Sequence, residues 1–158
     1  MKFREVKTIF NGNCMYDAVR RSLLHVHGHD FPASWNDPSS LEFRRRFAHE
    51  LCDRHTRNLS KLSKRNLFER MNAPHHEWSH PAYFAHNDEI LVLSSVLNLC
   101  IHVYKDGFLR FAVYHTGHEC VSHTEEYRAL RRKANNTLDV WIYEQDGMHF
   151  TALIPVPK

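Results

Sequence analysis

The sequence predicts one α+β domain that spans residues 1–158. Three observations support this fold class. The length suits a single hydrophobic core. In the first two thirds of the chain, apolar residues recur at helical spacing, whereas short β-rich segments separated by turn residues dominate from Cys100 onward. We therefore expect helices first, followed by a small and mostly antiparallel sheet.

The first helix is predicted over Cys14–His27, because its apolar residues lie on one face and Gly28 follows as a stop signal. After a proline-containing loop, residues 41–55 show a second amphipathic pattern. In that pattern Arg44 and Arg45 fall on the face expected to meet water.

A third helix is predicted over residues 58–71, with three leucines as its apolar anchors. Residues 72–81 contain two prolines and are expected to form a loop. The pair Asp88-Glu89 opens an apolar helix that runs to about Leu99, and this acidic start suits the positive end of a helix dipole.

The remaining third of the chain is predicted to form the sheet. Residues 100–104 and 108–114 read as a hairpin joined by Lys105-Asp106-Gly107. A short helix is predicted over Glu125–Lys133. Two more strands, residues 138–143 and 148–154, flank a turn at residues 144–147.

Composition limits the classes of function. The formal charge of +3 is too small to indicate a nucleic-acid partner. The four cysteines are dispersed, so we expect free thiols in a reducing compartment. Neither a membrane span nor a signal peptide is evident, which favours the cytoplasm, or a host cytoplasm for a viral or bacterial effector.

Cys14 is the candidate nucleophile. It follows the turn Asn11-Gly12-Asn13 and begins the first predicted helix, where unpaired N–H groups and the helix dipole favour a thiolate. We therefore expect a lowered thiol pKa. The backbone N–H groups of Gly12 and Asn13 are the expected oxyanion donors. The alternative, a small buried residue at a helix start, stays open at this point.

His149 is the candidate general base. It follows the turn that ends at Gly147 and opens the last predicted strand. Strand alternation puts Thr151 on the same face, where its side chain is able to orient the imidazole ring. The alternative is an ordinary surface histidine at the end of a strand.

Three ordered blocks resemble the ovarian-tumour (OTU) family of cysteine proteases. Residues 11–19, NGNCMYDAV, resemble the block around the family's nucleophile. Residues 88–104 resemble its middle block, an acidic-aliphatic helix that runs into an Ile-x-Val-Tyr strand. Trp141-Ile142-Tyr143 with His149-Phe150 resembles the closing strand pair that carries the catalytic histidine.

The resemblance implies a papain-like OTU-type α+β fold, with a small sheet flanked by helices. It implies a cysteine-dependent deubiquitinase that cleaves the (iso)peptide bond after the C-terminal glycine of ubiquitin through a thioester. Cys14 would be the nucleophile and His149 the base, with no metal and no cofactor. The implied partners are ubiquitin or polyubiquitin and, beyond these, ubiquitin-like modifiers, without a membrane or nucleic acid.

The sequence departs from the family pattern at three positions. Asn11 stands where the family usually has Asp, and Thr151 where it has Asp or Asn. Phe84 stands where a Trp is common. Asn11 is therefore the first candidate for the third catalytic residue and Thr151 the second, while a Cys–His dyad is the remaining option.

Other patterns leave two alternatives open. A catalytically weak or inactive ubiquitin-binding module would explain the missing acids. A zinc-holding or nucleic-acid-binding protein would use the run His115-x-x-His118-x-Cys120-x-x-His123 and basic clusters such as Arg44-Arg45-Arg46. Two loop tryptophans, Trp35 and Trp78, are either exposed contacts for a partner or residues at the edge of the core.

Overall fold

A computed structural model describes residues 2–105, 109–121, 124–133, 136–146 and 148–157. Within these residues, the helices precede most of the sheet, which confirms the predicted α+β class. The helices are α1 Cys14–His27, α2 Phe43–His49, α3 Asp53–Thr56, α4 Lys61–Met71, α5 Asn87–Val96 and α6 Glu125–Lys133. The strands are β1 Lys2–Val6, β2 Leu99–Lys105, β3 Leu109–His115, β4 His118–Cys120, β5 Leu138–Gln145 and β6 His149–Val156.

The described strands form one sheet in the order β1-β6-β5-β2-β3-β4. Its neighbouring strands are antiparallel except for the parallel pair of β2 and β5. The register of β5 and β6 pairs Gln145 with His149, which is the first residue of β6. The register of the sheet thus determines where His149 lies relative to α1, which packs against β6.

The core lies between the sheet and helices α1, α2 and α5. Phe150 and Ile142 project from the sheet into this core, and α1 packs against β5 and β6. A cluster of buried aromatic rings holds α1 against α2 and the 3-10 turn Ala33–Trp35. The members of this cluster are Tyr16, Phe31, Trp35, Phe43 and Phe47.

Helix α1 matches its predicted bounds, and Gly28 ends it in the left-handed conformation with φ 70°. The single helix predicted over residues 41–55 is wrong, because the chain breaks into α2 and α3 around an extended Cys52. The prediction that Arg44 faces water is also wrong, since this side chain is buried. Trp35 and Trp78 are buried as well, which leaves the core-edge interpretation.

The other helices differ from prediction only at their ends. Helix α4 begins at Lys61 because the Ser60 side chain accepts the Ser63 N–H and caps it. Helix α5 ends at Val96, three residues early, because Leu99 already belongs to β2. Helix α6 has its predicted bounds.

The antiparallel pairing of β2 and β3 confirms the hairpin. Asp106 and Gly107 of its turn, and Phe108 at the predicted start of its second strand, lie outside the described residues. Strands β1 and β4 were not predicted. β1 is a charged edge strand that has no alternating pattern, and β4 has only three residues. All four cysteines are free, as expected. Among the described residues, no helix has the length and apolar character to cross a bilayer.

Asp139 of β5 joins three elements on the face of the sheet next to α6. Its carboxylate accepts two hydrogen bonds from Arg131 of α6, at 3.0 and 3.1 Å. His102 Nε2 of β2 lies 2.9 Å from the same carboxylate. Burial raises the pKa of Asp139, but these bonds outweigh burial and lower it from 3.8 to about 2. Asp139 thus attaches α6 to the sheet.

We expect Asp139→Asn to lower the free energy of unfolding at pH 7 by about 1–2 kcal/mol, because the depressed pKa stabilises the folded state. This contribution is present above pH 4 and is lost as the pH falls through about 2. Urea unfolding from pH 7 to pH 2.5 should therefore show wild type and variant converging. Asp53→Asn removes an exposed carboxylate and serves as the control. A difference that does not change with pH would contradict this account.

Candidate active site

The turn before α1 is held by Asn11. Its side-chain Oδ1 accepts the backbone N–H of Asn13 at 2.7 Å. Its carbonyl oxygen accepts the N–H of Cys14 at 3.2 Å. These bonds to successive amides form a turn of the kind that asparagine favours. Cys14 is consequently placed at the first position of α1, as predicted.

Gly12 sits in a space that admits no side chain. A Cβ atom at this position would lie 1.9 Å from the carbonyl oxygen of Trp78. The Gly12 carbonyl accepts hydrogen bonds from the Ala85 N–H and from Arg44 Nη2, each at 3.0 Å. Glycine is therefore required here by close backbone approach rather than by an unusual φ.

The Cys14 sulfur contacts the backbone on both sides of His149. The N–H of Phe150 donates to Sγ at 3.4 Å, and the thiol donates to the carbonyl of Met148 at 3.8 Å. Cys14 and His149, which are 135 positions apart in the sequence, are thus brought to the same place by the packing of α1 against β6.

The environment of the thiol has opposing effects on its pKa. Burial is the largest and raises the pKa of Cys14, whose residue is only 3% exposed. The backbone N–H groups of Phe150, Met15 and Cys14 lower it, and the Asp17 carboxylate adds a small increase. The net shift is upward, so the predicted lowering of this pKa is wrong. The helix start does favour the thiolate, but desolvation of the sulfur outweighs it.

His149 is half-buried and borders an open cleft. Its ring lies 5.0 Å, centroid to centroid, from the ring of the exposed Phe10. The cleft has a volume of about 450 Å³ and a largely apolar wall. It is lined by Phe10, Asn11, Ser79, Phe84, Gln145, Asp146, Met148 and His149. The histidine and the turn that holds Cys14 therefore share one cleft.

The two candidate orienting residues lie in different surroundings. Asn11 lines the cleft, but its Oδ1 already accepts the Asn13 N–H. Thr151 is buried, and its hydroxyl has no hydrogen-bond partner among the described residues. Sequence alternation placed Thr151 on the same face of β6 as His149, and its buried hydroxyl has hydrogen-bonding capacity to spare.

A second set of the same residue types lies on strands β2 and β5, apart from the residues that line the cleft. Cys100, His102 and Asp139 bring ligand atoms within 4.8 Å of one another, and no other such group occurs among the described residues. These residue types are able to bind a metal ion, but Asp139 already pairs with Arg131. Burial raises the pKa of Cys100 to about 12, so this thiol is a poor nucleophile.

The zinc-like run does not form a site of its own in the described part of the chain. His115 and His118 are partners in the antiparallel pairing of β3 and β4. The side chain of His115 is buried, whereas that of His118 is exposed. Cys120 is buried, and His123 lies outside the described residues. The sequence analysis did not single out Cys100, His102 and Asp139. The signal that could have found them is the separation of two between Cys100 and His102, which puts both on one face of a predicted strand.

Comparison with known proteins gives a family. The family model described as OTU-like cysteine protease matches residues 9–150. The crystal structure of an OTU deubiquitinase from Wolbachia pipientis wMel is similar, with a TM-score of 0.58 and 18% identity over 96% of this chain and 87% of that one. The crystal structure of an OTU deubiquitinase from Wolbachia pipientis wMel bound to ubiquitin is also similar. Its TM-score is 0.56 and its sequence identity is 15%, over 96% of this chain and 94% of that one. At these identities the likeness shows the fold alone. No curated protein matches significantly.

We expect Gly12→Ala to lower the free energy of unfolding by about 2–3 kcal/mol, because the added methyl group meets backbone that must shift. Gly28→Ala is the matched control, since its Cβ would meet nothing within 4 Å and only the left-handed φ is costly, at about 1 kcal/mol. Urea unfolding of both variants measures the difference. A smaller loss for Gly12→Ala than for Gly28→Ala would contradict the close-approach explanation.

Proposed function

Because the chain belongs to the OTU-like cysteine protease family, we propose that it is a deubiquitinase that cleaves the (iso)peptide bond after the C-terminal glycine of ubiquitin. The observation that carries the proposal is the contact of the Cys14 sulfur with the backbone on both sides of His149. The similar deubiquitinase that was solved with ubiquitin supports the choice of substrate.

In the proposed mechanism, His149 removes the proton from the Cys14 thiol as the sulfur attacks the glycine carbonyl. The resulting oxyanion accepts hydrogen bonds from backbone N–H groups of the Gly12–Cys14 turn. The imidazolium of His149 then protonates the leaving lysine amine, which departs and leaves a thioester on Cys14. Water, deprotonated by His149, attacks the thioester and releases the ubiquitin carboxylate and the free thiol.

The raised thiol pKa affects the order of these events. A buried thiol that donates to the Met148 carbonyl is mainly protonated in the free enzyme. Proton transfer to His149 is therefore coupled to substrate binding and to attack, rather than completed beforehand. The N–H groups that point at the sulfur then stabilise the thiolate as it forms.

The oxyanion role of the turn depends on Asn11. The Asn13 N–H donates to the Asn11 side chain in the free protein, so this donor is held in a fixed position until substrate replaces that acceptor. This role keeps Asn11 in the catalytic machinery without making it the partner of His149. We assign the orienting role to the Thr151 hydroxyl, which lies on the same face of β6 as His149. It has no bonded partner among the described residues of the free protein, so a bond to the imidazole would form only when the ring turns toward it.

The apolar wall of the cleft, formed by Phe10, Phe84 and Met148, supports an extended peptide as ligand. The proposed partners are therefore ubiquitin, polyubiquitin and modifiers with a similar tail. We also propose that residues 1–158 act as one catalytic domain, which their continuous buried cluster supports. The free thiols suit a reducing compartment such as the cytoplasm.

The second candidate is a weak or inactive ubiquitin-binding module on the same fold. Two observations favour it: neutral side chains stand at Asn11 and Thr151, and the pKa of the nucleophilic thiol is raised. Binding of ubiquitin without turnover would select this alternative over the enzyme.

We expect wild-type protein to form a covalent adduct with ubiquitin that carries a C-terminal electrophile, detected by mass spectrometry. Cys14→Ala should form none, and His149→Ala should lose chain cleavage. Cys52→Ala removes an exposed thiol away from the cleft and should react as the wild type does. Equal adduct on Cys14→Ala, or none on wild type, would refute the proposed nucleophile.

We expect Thr151→Val to lower kcat about 10-fold or more with little change in KM, because the isosteric side chain no longer orients the base. Asn11→Ala should also lower kcat, through loss of the fixed Asn13 donor. Steady-state cleavage of a fluorogenic ubiquitin substrate measures both. Full activity in Thr151→Val would leave a Cys–His dyad as the explanation.

A further inference from the structure

Arg44 of α2 is a buried cation next to the nucleophile turn. It is 1% exposed, and no carboxylate among the described residues forms a salt bridge with it. Its guanidinium donates instead to three neutral oxygens: Asn13 Oδ1 at 2.6 Å, the Gly12 carbonyl at 3.0 Å and the Arg70 carbonyl at 3.1 Å. Burial lowers the pKa of Arg44, and the Glu89 carboxylate, which pairs with Arg70, offsets part of that effect from a distance. Burying a cation that no carboxylate contacts directly is costly, so its three neutral acceptors hold it in place.

The Trp78 ring packs against one face of the Arg44 guanidinium. Its carbon lies 4.8 Å from the centroid of the Trp78 ring, in a cation–π contact. The Trp78 carbonyl is the atom that excludes a side chain from Gly12, and the indole N–H donates to the carbonyl of Ala73 at 2.9 Å. Arg44 and Trp78 thus enclose the Gly12 peptide together.

The bonds of Arg44 fix two successive residues of the turn. The Gly12 carbonyl accepts from Arg44 and from the Ala85 N–H, so its direction is set from two sides. The peptide unit is planar, hence fixing this carbonyl also fixes the opposite Asn13 N–H. The Asn13 side chain is bound at both ends, by Arg44 at its oxygen and by the Pro38 carbonyl at its nitrogen, 3.0 Å away.

We propose that Arg44 is a positioning residue for catalysis, which holds the Gly12–Asn13 peptides so that the oxyanion donors and the Cys14 sulfur keep their place opposite β6. The inference rests on the proposed function and adds a residue to its machinery. Arg44 contacts neither the sulfur nor the cleft. Its effect on the reaction passes through Gly12 and Asn13.

This role requires the shape of arginine as well as its charge. The planar fork of the guanidinium reaches three acceptors in fixed directions and stacks on an indole ring. A lysine at this position would keep the charge but would not reproduce this fork. Arg45, the next residue on α2, is exposed and pairs with Glu42, so it provides a matched control for the same exchange.

The test compares Arg44→Lys with Arg45→Lys in two measurements. Hydrogen exchange of a peptide covering Asn13 and Cys14 should be faster in Arg44→Lys, with protection in the sheet unchanged. Its kcat on a fluorogenic ubiquitin substrate should fall about 10- to 100-fold with little change in KM, because small misplacements cost this much. Arg45→Lys should match wild type in both.

Three outcomes would overturn the proposal. The first is unchanged exchange at Asn13 and Cys14 in a folded Arg44→Lys protein. The second is a lower melting temperature with unchanged kcat in the folded protein, which would mark a purely structural role. The third concerns Asn13→Ala, which removes one acceptor and keeps the guanidinium. This variant decides the matter if Arg44→Lys does not fold, and an unchanged kcat in it would reject the proposal.

Failure of the proposed function gives a different result. If wild-type protein neither reacts with the ubiquitin electrophile nor cleaves chains, the deubiquitinase assignment falls. The exchange comparison between Arg44→Lys and Arg45→Lys still measures whether Arg44 holds the turn.

Discussion

The close approach of the Gly12 peptide to the backbone of Trp78 is the constraint on which the rest of the site depends. Because no side chain fits there, the Trp78 backbone packs against Gly12, and the Gly12 carbonyl accepts hydrogen bonds from Arg44 of α2 and from the Ala85 N–H. The Asn11–Asn13 turn determines where α1 begins, and the first residue of α1, Cys14, places its sulfur against β6. The nucleophile is therefore positioned by packing behind it, while the histidine is positioned by the register of the sheet.

Much of this could be predicted from the sequence. The α+β class, the bounds of α1 and α6, and the OTU family follow from local patterns and ordered motifs, and the structure and the family match confirm them. The assignment of Cys14 and His149 stays a prediction. Arg44 could not have been found in this way, because three consecutive arginines give no sign of which one turns inward. The predicted direction of the Cys14 pKa shift was wrong for a related reason, since burial of the sulfur depends on residues that are distant in the sequence.

The two Cys–His pairs show why residue types alone do not identify a site. Cys100 and His102 are closer in sequence and have a carboxylate beside them, as a catalytic triad would. Yet that carboxylate holds α6, and the pKa of the thiol is about 12. The carboxylate that acts on Cys14, that of Asp17, opposes its ionisation. The sulfur nevertheless lies at a helix start among backbone donors, and His149 beside it borders an open cleft. The two sets differ in their access to an open cleft and in the backbone N–H donors around the sulfur. Both of these differences are consequences of the fold.

Strand β6 is paired on both sides, with β1 along residues 152–156 and with β5 along residues 149–153. The Thr8 hydroxyl adds a bond to the Phe150 carbonyl. Residues 152 and 153 are thus paired on both sides, and His149, three residues earlier, is anchored by its pairing with Gln145 of β5. Strand β6 also carries the Phe150 N–H that donates to the Cys14 sulfur, one residue after His149. The proposed base and a hydrogen-bond donor to the nucleophile are therefore parts of one strand, and any shift of β6 would displace both together.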